Sequence, residues 1–132
     1  MSPLPSAGVT IAVIVLAAGA FFWWNGREAT PDVAGLSKLR QAGSNLRSPH
    51  SMEFFLYFPS KEAAQRASLE LTREGFVVEV KPSASSSGSW LTLAKKNMVP
   101  AVAELVQIRE SLSKLAATEH GQYDGCGASV VK

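Results

Sequence analysis

The chain has 132 residues, enough for one domain with a modest core and little beyond it. Hydrophobic residues make up 46% of the sequence and charged residues 18%, and every charged side chain lies at or after Arg27. Acidic and basic residues alternate to a net charge of +2 without forming a basic stripe, which argues against direct binding of nucleic acid.

The first predicted element is a transmembrane helix at residues 7–24. The stretch has no charged side chain, and as a helix it would be about 27 Å long, close to the roughly 30 Å hydrocarbon core of a bilayer. Trp23 and Trp24 would lie at the interface, where aromatic belts occur. Basic residues follow the stretch but do not precede it, so we expect a single-pass protein of the inner membrane with its C-terminal domain in the cytoplasm.

Two alternatives to an anchor exist for residues 7–24. A cleaved signal peptide requires a basic region before the apolar stretch, and this chain has none there. A buried core helix requires other segments to surround it, since the stretch is apolar on all sides.

Residues 25–49 are predicted to be a linker, because they are rich in Gly, Ser, Pro and Asn. Pro31 could begin a short helix that extends to about Gln41. Leu36 and Leu39 are its only large apolar residues, so we expect a mobile tether.

Residues 50–132 are predicted to fold as one α+β domain. In the segment 50–59, apolar side chains alternate in the manner of a strand that is buried on one face. Ser60 is a suitable N-cap for a helix over 61–74, and Gly75 is a typical residue to end it.

The second half of this domain is predicted to contain two more strands, a helix and a terminal strand. Residues 76–81 and 90–95 read as strands joined by a flexible loop, and 121–131 reads as an edge strand. Asn97 is the predicted cap of the intervening helix. Its apolar stripe recurs at helical spacing: Ala101, Leu105, Ile108, Leu112 and Leu115.

The order strand, helix, strand, strand, helix, strand is that of a ferredoxin-like βαββαβ antiparallel sheet with both helices on one face. The other face would then carry Phe55, Tyr57, Val77, Trp90 and Thr92. Exposed apolar patches of this kind mark protein-binding sites, although the linker or the C-terminal tail could instead cover the patch.

A catalytic interpretation would use His120, Asp124 and Cys126, which lie within seven residues of one another. A cysteine nucleophile needs a general base and an oxyanion hole, and no helix begins after Cys126 to supply one. Metal binding would require more ligands, and the sequence has no phosphate-binding glycine loop. We therefore expect a protein that is not an enzyme and that has neither a metal nor a cofactor.

Several short motifs, taken together and in order, resemble the regulator of ribonuclease activity B (RraB) family of ribonuclease E inhibitors. The resemblance covers about residues 50–128. Its motifs are Leu56-Tyr57-Phe58-Pro59, Glu62-Ala63-Ala64, Gly75-Phe76-Val77-Val78-Glu79-Val80, Trp90 and Gly121-Gln122-Tyr123-Asp124-Gly125.

The resemblance implies a regulator of RNA degradation that binds the noncatalytic scaffold region of ribonuclease E and performs no chemistry. Two features depart from the family pattern: Cys126 stands where the family motif has Trp, and the apolar segment 7–24 is additional. The alternative function is a membrane-tethered interaction domain that binds a different membrane or envelope complex.

The residues predicted to contact a protein partner are those of the aromatic face and of the terminal motif. The terminal motif has a second interpretation as a simple turn, because Asp-Gly is typical of hairpins. The predicted set is Phe55, Tyr57, Trp90, Tyr123, Asp124, Gly125 and Cys126.

Overall fold

The computed structural model describes residues 13–16, 19–25, 31–84 and 87–132. Within these ranges, helices are interspersed among strands that all pair antiparallel, as in an α+β protein. The elements are β1 (Val13–Leu16), β2 (Gly19–Asn25), α1 (Pro31–Gln41), β3 (His50–Phe58), α2 (Lys61–Arg73), β4 (Val77–Pro82), β5 (Trp90–Met98), α3 (Val102–Thr118) and β6 (Gln122–Ser129).

The described strands form one antiparallel sheet in the order β1-β2-β6-β3-β5-β4. Its last four strands and the helices α2 and α3 reproduce the predicted βαββαβ arrangement. One detail was predicted wrongly, because β6 is not an edge strand. It lies between β3 and the additional strand β2.

The N-terminal apolar segment differs from the transmembrane helix predicted at residues 7–24. Residues 13–16 and 19–25 are strands, and β2 pairs with both β1 and β6. Extended backbone can satisfy its hydrogen bonds here because β6 offers a free edge to β2. The rest of the predicted helix lies outside the described residues, among which no helix is both long and apolar enough to cross a bilayer.

The predicted linker 25–49 contains a packed helix, α1, instead of a mobile tether throughout. Leu36 and Leu39 are buried, at 6% and 0% exposure. Two apolar side chains are sufficient because α1 rests on β2 and α3, and these remote elements supply the rest of the contact surface.

The hydrophobic core lies between the sheet and the helices. Side chains of β3 alternate between buried and partly exposed positions, as predicted for a strand with one buried face. Thr92 of β5 is on the buried face, and its hydroxyl donates to the carbonyl oxygen of Ala64 in α2 over 3.2 Å. Small residues such as Ala64 and Ala67 let α2 lie close to the sheet.

The helix α2 begins as its sequence predicts, whereas α3 begins later than predicted. Ser60 accepts a hydrogen bond from the backbone N–H of Ala63, which satisfies one free donor of the first turn. Asn97, the predicted cap of α3, belongs instead to β5, and Ala101 occupies the N-cap position without a side-chain bond. The strand continues past Asn97 because β3 pairs with it as far as Met98.

Candidate protein-binding face

The sheet has a second face, opposite the helices, that we call the aromatic face. Residues that pair across antiparallel strands point to the same face of the sheet, so the strand register shows which residues belong to the aromatic face. Among the described residues, it carries a row of aromatic and aliphatic side chains with charged residues around them. They are Phe21, Trp23, Glu53, Phe55, Tyr57, Val77, Glu79, Lys81, Leu91, Leu93 and Lys95.

The aromatic rings of β2 lie over glycines of β6. Phe21 and Trp23 point to the aromatic face, where β6 presents Gly127 and Gly125. A Cβ atom at Gly127 would lie 2.6 Å from the ring of Phe21, and one at Gly125 would lie 3.0 Å from the ring of Trp23. Only glycine leaves room for these rings, so β2 and β6 together extend the apolar surface beyond β3.

The centre of the aromatic face is formed by β3 and β5. Phe55 and Tyr57 are each half-buried, and they stand beside Leu93 and Leu91 on the neighbouring strand. These four side chains form one contiguous apolar patch across two strands. Leu91 and Leu93 are buried, at 8% and 6% exposure, so the accessible part of the patch is formed by the partly exposed rings of Phe55 and Tyr57, with Phe21 and Trp23 beside them. Partly exposed aromatic side chains of this kind are typical of surfaces that bind proteins.

A bulge in β6 places Asp124 close to this patch. The register between β3 and β6 shifts after Phe55, so Asp124 is the extra residue between Tyr123 and Gly125. The pKa of the Tyr57 hydroxyl is raised first by burial and then by the negative charge of Asp124. A carboxylate therefore adjoins the aromatic ring at this end of the face.

A shallow depression adjoins the same end. It has a volume of about 220 Å³ and is lined by Tyr57, Ser89, His120 and Gln122 among others. His120 has a φ of 60°, in the left-handed region, and this conformation turns the chain from α3 into β6. The depression could hold one side chain of a partner.

The edge of the aromatic face at β4, on the other side of the sheet from β6, carries paired acidic and basic side chains. Glu79 of β4 lies 3.5 Å from Lys81 Nζ and 3.8 Å from Lys95 Nζ. All three side chains are at least one-third exposed, so these pairs add little to stability. They give this edge a mixed polar border instead of a basic groove.

Two residues predicted for the aromatic face lie on the helix side. Trp90 pairs with Phe58 and Thr92 pairs with Leu56, and both partners point into the core. The Nζ of Lys61 lies 5.6 Å from the ring centroid of Trp90, which ties this residue to the start of α2. Trp90 is thus separated from Phe55 and Tyr57 by the thickness of the sheet.

Tyr123 and Cys126 also point to the helix side. Cys126 is 1% exposed and lies between Trp24 and Phe54 on the neighbouring strands. Burial raises the pKa of the Cys126 thiol and of the Tyr123 hydroxyl, and these two groups share a hydrogen bond. A buried thiol held in its protonated form is a poor nucleophile, which opposes the catalytic interpretation of Cys126.

The structure therefore divides the predicted contact residues between the two faces. Phe55, Tyr57 and Gly125 come together on the aromatic face, with Asp124 at the bulge beside them. Trp90, Tyr123 and Cys126 contribute to the helix side. Phe21 and Trp23 were not predicted as members of the face, although the aromatic run at residues 21–24 is of a composition that strands favour.

A buried polar cluster that the sequence analysis missed joins β2, α1 and α3. Trp24 Nε1 donates to Asp32 Oδ1 over 3.2 Å, and Arg109 Nε lies 3.2 Å from Asp32 Oδ2. Asp32 is only 3% exposed. Its carboxylate is therefore satisfied by both partners, as a buried charge must be.

A second buried cluster missed by the sequence analysis joins Ser44, His50 and the C-terminus. His50 Nε2 lies 2.6 Å from Ser44 Oγ, and His50 Nδ1 lies 2.8 Å from the carbonyl oxygen of Ser48. The Ser44 hydroxyl also accepts from the N–H of Val131 over 2.9 Å. These bonds hold the end of the chain beside the start of β3.

Among the described residues, no group of three or more His, Cys, Asp or Glu side chains is placed to bind a metal.

Comparison with protein families gives a match over most of the chain. The model of the family described as "Regulator of ribonuclease activity B", RraB, matches residues 31–128. The matched range begins with α1 and ends in β6, and it leaves β1 and β2 outside. No curated protein sequence matches the chain.

Proposed function

The chain belongs to the RraB family, and from this premise we propose that it regulates a ribonuclease by binding a protein, without catalysing a reaction. The family match over residues 31–128 is the observation that carries this proposal. It spans all of α1, α2, α3 and the strands from β3 to β5, as well as most of β6.

The contact surface in this proposal is the aromatic face. Phe55 and Tyr57 lie at its centre, the depression beside Tyr57 offers an anchor point, and Phe21 and Trp23 widen it. Aromatic side chains dominate the energetics of protein interfaces because they bury a large area with few rotatable bonds. The border of the face carries both acidic and basic residues, Glu79, Lys81 and Lys95, as is typical of the polar rim of a protein interface. Such mixed charge does not favour binding of a nucleic-acid backbone.

The proposed partner is the noncatalytic scaffold region of ribonuclease E, as the family resemblance implies. The experiment measures binding of the purified full-length chain to that purified region by titration calorimetry. We expect saturable binding in the micromolar range or tighter. A correctly folded chain that shows no binding at these concentrations would overturn this choice of partner, and would favour the alternative partner, a different membrane or envelope complex.

Matched variants test whether the aromatic face makes the contact. We expect Phe55→Ala to weaken binding by about tenfold or more, since central aromatic residues are frequent hot spots. Leu69→Ala is the control, because Leu69 is a 62% exposed apolar residue on α2, a helix that packs on the opposite face. Equal losses for the two variants, or no loss for Phe55→Ala, would assign the contact to another surface.

Membrane association is the second part of the proposal. The uncharged stretch at residues 7–24 supports it, and the basic residues from Arg27 onward support a domain in the cytoplasm. Residues 19–24 pair with β6 in the sheet, so insertion as a helix would require β2 to leave β6.

Cell fractionation with a carbonate wash tests this localisation. We expect the tagged full-length chain to remain with the inner membrane, and a Val13→Lys, Val15→Lys double variant to be released because two charges oppose insertion. Recovery of the unmodified chain in the aqueous fraction would contradict the membrane proposal and would leave the proposed binding of ribonuclease E unaffected.

A further inference from the structure

The side chain of Trp24 fills a closed pocket beneath α1. Trp24 is 4% exposed, and it points to the helix side of the sheet, opposite Cys126. A Cβ atom at Gly35 would overlap the indole ring, so the absence of a side chain on this turn of α1 creates the space that the ring occupies. The pocket is shaped for a large planar side chain.

The pocket also has a polar group directed at the indole nitrogen. Asp32 Oδ1 accepts from Trp24 Nε1 over 3.2 Å. The carboxylate is oriented from the other side by Arg109, whose Nε lies 3.2 Å from Oδ2. Asp32 is 3% exposed, so its acceptor is a specific feature of the pocket and selects an aromatic side chain that carries an N–H group.

The backbone next to the pocket is the edge of β6 that faces β2. Residues Phe21–Asn25 of β2 pair with Gly125–Ser129 of β6 in antiparallel register. Apart from its pairing with β1, β2 contacts the rest of the domain mainly through β6 and α1. Without β2, this edge would present free backbone N–H and C=O groups to any extended segment.

The pocket and its occupant belong to different parts of the sequence. Asp32, Gly35, Arg109 and Cys126 all lie within the range 31–128 that the family model matches. Trp24 and the rest of β2 lie outside that range. The groove is thus built by the family domain, whereas the strand that fills it is supplied by the N-terminal extension.

We propose that the β6 edge and the indole pocket form a binding site for an extended peptide segment that carries a tryptophan, and that β2 occupies this site in cis. Backbone hydrogen bonds to β6 supply affinity, and the pocket between Gly35 and Asp32 supplies selectivity for the indole, as in other sites that bind an added strand. The covalently attached β2 has a high effective concentration, so it excludes a free peptide of similar affinity.

The test weakens β2 in the full-length chain and offers a probe in its place. The probe is a fluorescein-labelled peptide with the sequence of residues 19–25 followed by two lysines, and binding is followed by anisotropy. We expect the Trp24→Ala chain to bind this peptide at least about tenfold more tightly than the unmodified chain does. A peptide with alanine in place of its second tryptophan should bind the same variant about tenfold more weakly.

A Gly35→Ala substitution added to the Trp24→Ala chain is the matched control, because its methyl group occupies the position of the indole. We expect this double variant to keep its circular dichroism spectrum and lose peptide binding. If Trp24→Ala unfolds, Trp24→Phe replaces it, since phenylalanine fills part of the pocket but leaves Asp32 Oδ1 without the indole N–H. A folded variant that binds no better than the unmodified chain, or a double variant that binds equally well, would overturn the proposal.

Discussion

The indole Nε1 of Trp24 donates a hydrogen bond of 3.2 Å to the buried carboxylate of Asp32. These two residues come from β2 and α1, and Arg109 of α3 contacts the other oxygen of the same carboxylate. The carboxylate thus connects three elements, two of which precede the predicted βαββαβ domain. This connection explains why α1 is ordered even though only two large apolar side chains lie in its buried stripe.

We expect Asp32→Ala to lower the free energy of unfolding by about 2–4 kcal/mol, because it leaves the Trp24 N–H and the Arg109 guanidinium without a buried partner. Asp32→Asn should cost less, since the amide oxygen can still accept from the indole. Urea unfolding followed by circular dichroism measures both values. An unchanged midpoint for Asp32→Ala would show that the carboxylate does not hold these elements together.

The pairing of Trp24 with Cys126 makes a second prediction, since the two side chains are direct cross-strand neighbours on the helix side. Cys126→Trp should destabilise the fold by about 1–3 kcal/mol through overpacking, and Trp24→Ala by about 3–5 kcal/mol through cavity formation. In the double variant the new indole can occupy the vacated space. Its loss should therefore be smaller than the sum of the two single losses. Additive losses, measured by urea unfolding, would show that the two side chains do not share one volume.

Most of the βαββαβ domain could be predicted from local sequence patterns. The strand from His50 to Phe58 shows period-two alternation, and Ser60 caps the helix that follows. The stripe of α3 also has the expected burial at Leu105 and Leu112. In each of these segments, the local preference and the tertiary environment favour the same structure.

Segments that depend on distant partners could not be predicted in this way. Residues 19–24 are uncharged and apolar, a composition that fits a lipid bilayer as well as a sheet, and only pairing with β6 distinguishes the two. Asp32 has the appearance of an ordinary first-turn acid, and its burial depends on Trp24 and Arg109.

The face of the sheet on which each predicted contact residue lies was predicted correctly only for some of them, and the error has a physical cause. Phe55 and Tyr57 were assigned correctly to the face without helices, because β3 alternates clearly. Trp90 was assigned to the wrong face because β5 has apolar residues on both faces. Trp90 points to one face and Leu91 and Leu93 point to the other, so the sequence shows no clear alternation. A strand that is apolar on both faces does not reveal its register.

The buried pair of Ser44 and His50 gives a third prediction. Ser44→Ala removes the hydroxyl that bonds both His50 Nε2 and the N–H of Val131, so we expect a loss of about 1–3 kcal/mol in unfolding free energy. Ser48→Ala is the control, since His50 Nδ1 contacts only the backbone carbonyl of Ser48 and not its hydroxyl. Thermal unfolding compares the two variants. Equal melting temperatures would mean that the hydroxyl of Ser44 is dispensable.

The buried thiol of Cys126 makes a fourth prediction, about chemical reactivity. Burial raises its pKa, so the thiolate is scarce in the folded chain, and the side chain is 1% exposed. Ellman's reagent at pH 8 should therefore react slowly with the native protein and rapidly in denaturant. Fast labelling of the native chain would contradict the placement of Cys126 in the core.

The raised pKa of Cys126 also determines whether the free energy of unfolding rises or falls at alkaline pH. Because the pKa of Cys126 is raised on folding, the folded chain keeps its proton at a pH where the unfolded chain has lost it. Stability should thus fall as the pH rises above about 8.5, the pKa of an exposed thiol. Cys126→Ala removes this ionisable group, so the decline should begin only near pH 10, where the unfolded tyrosines ionise while burial keeps Tyr123 protonated. Urea midpoints measured from pH 7 to 10.5 test the difference, and identical profiles for the two chains would show that ionisation of Cys126 is not linked to unfolding.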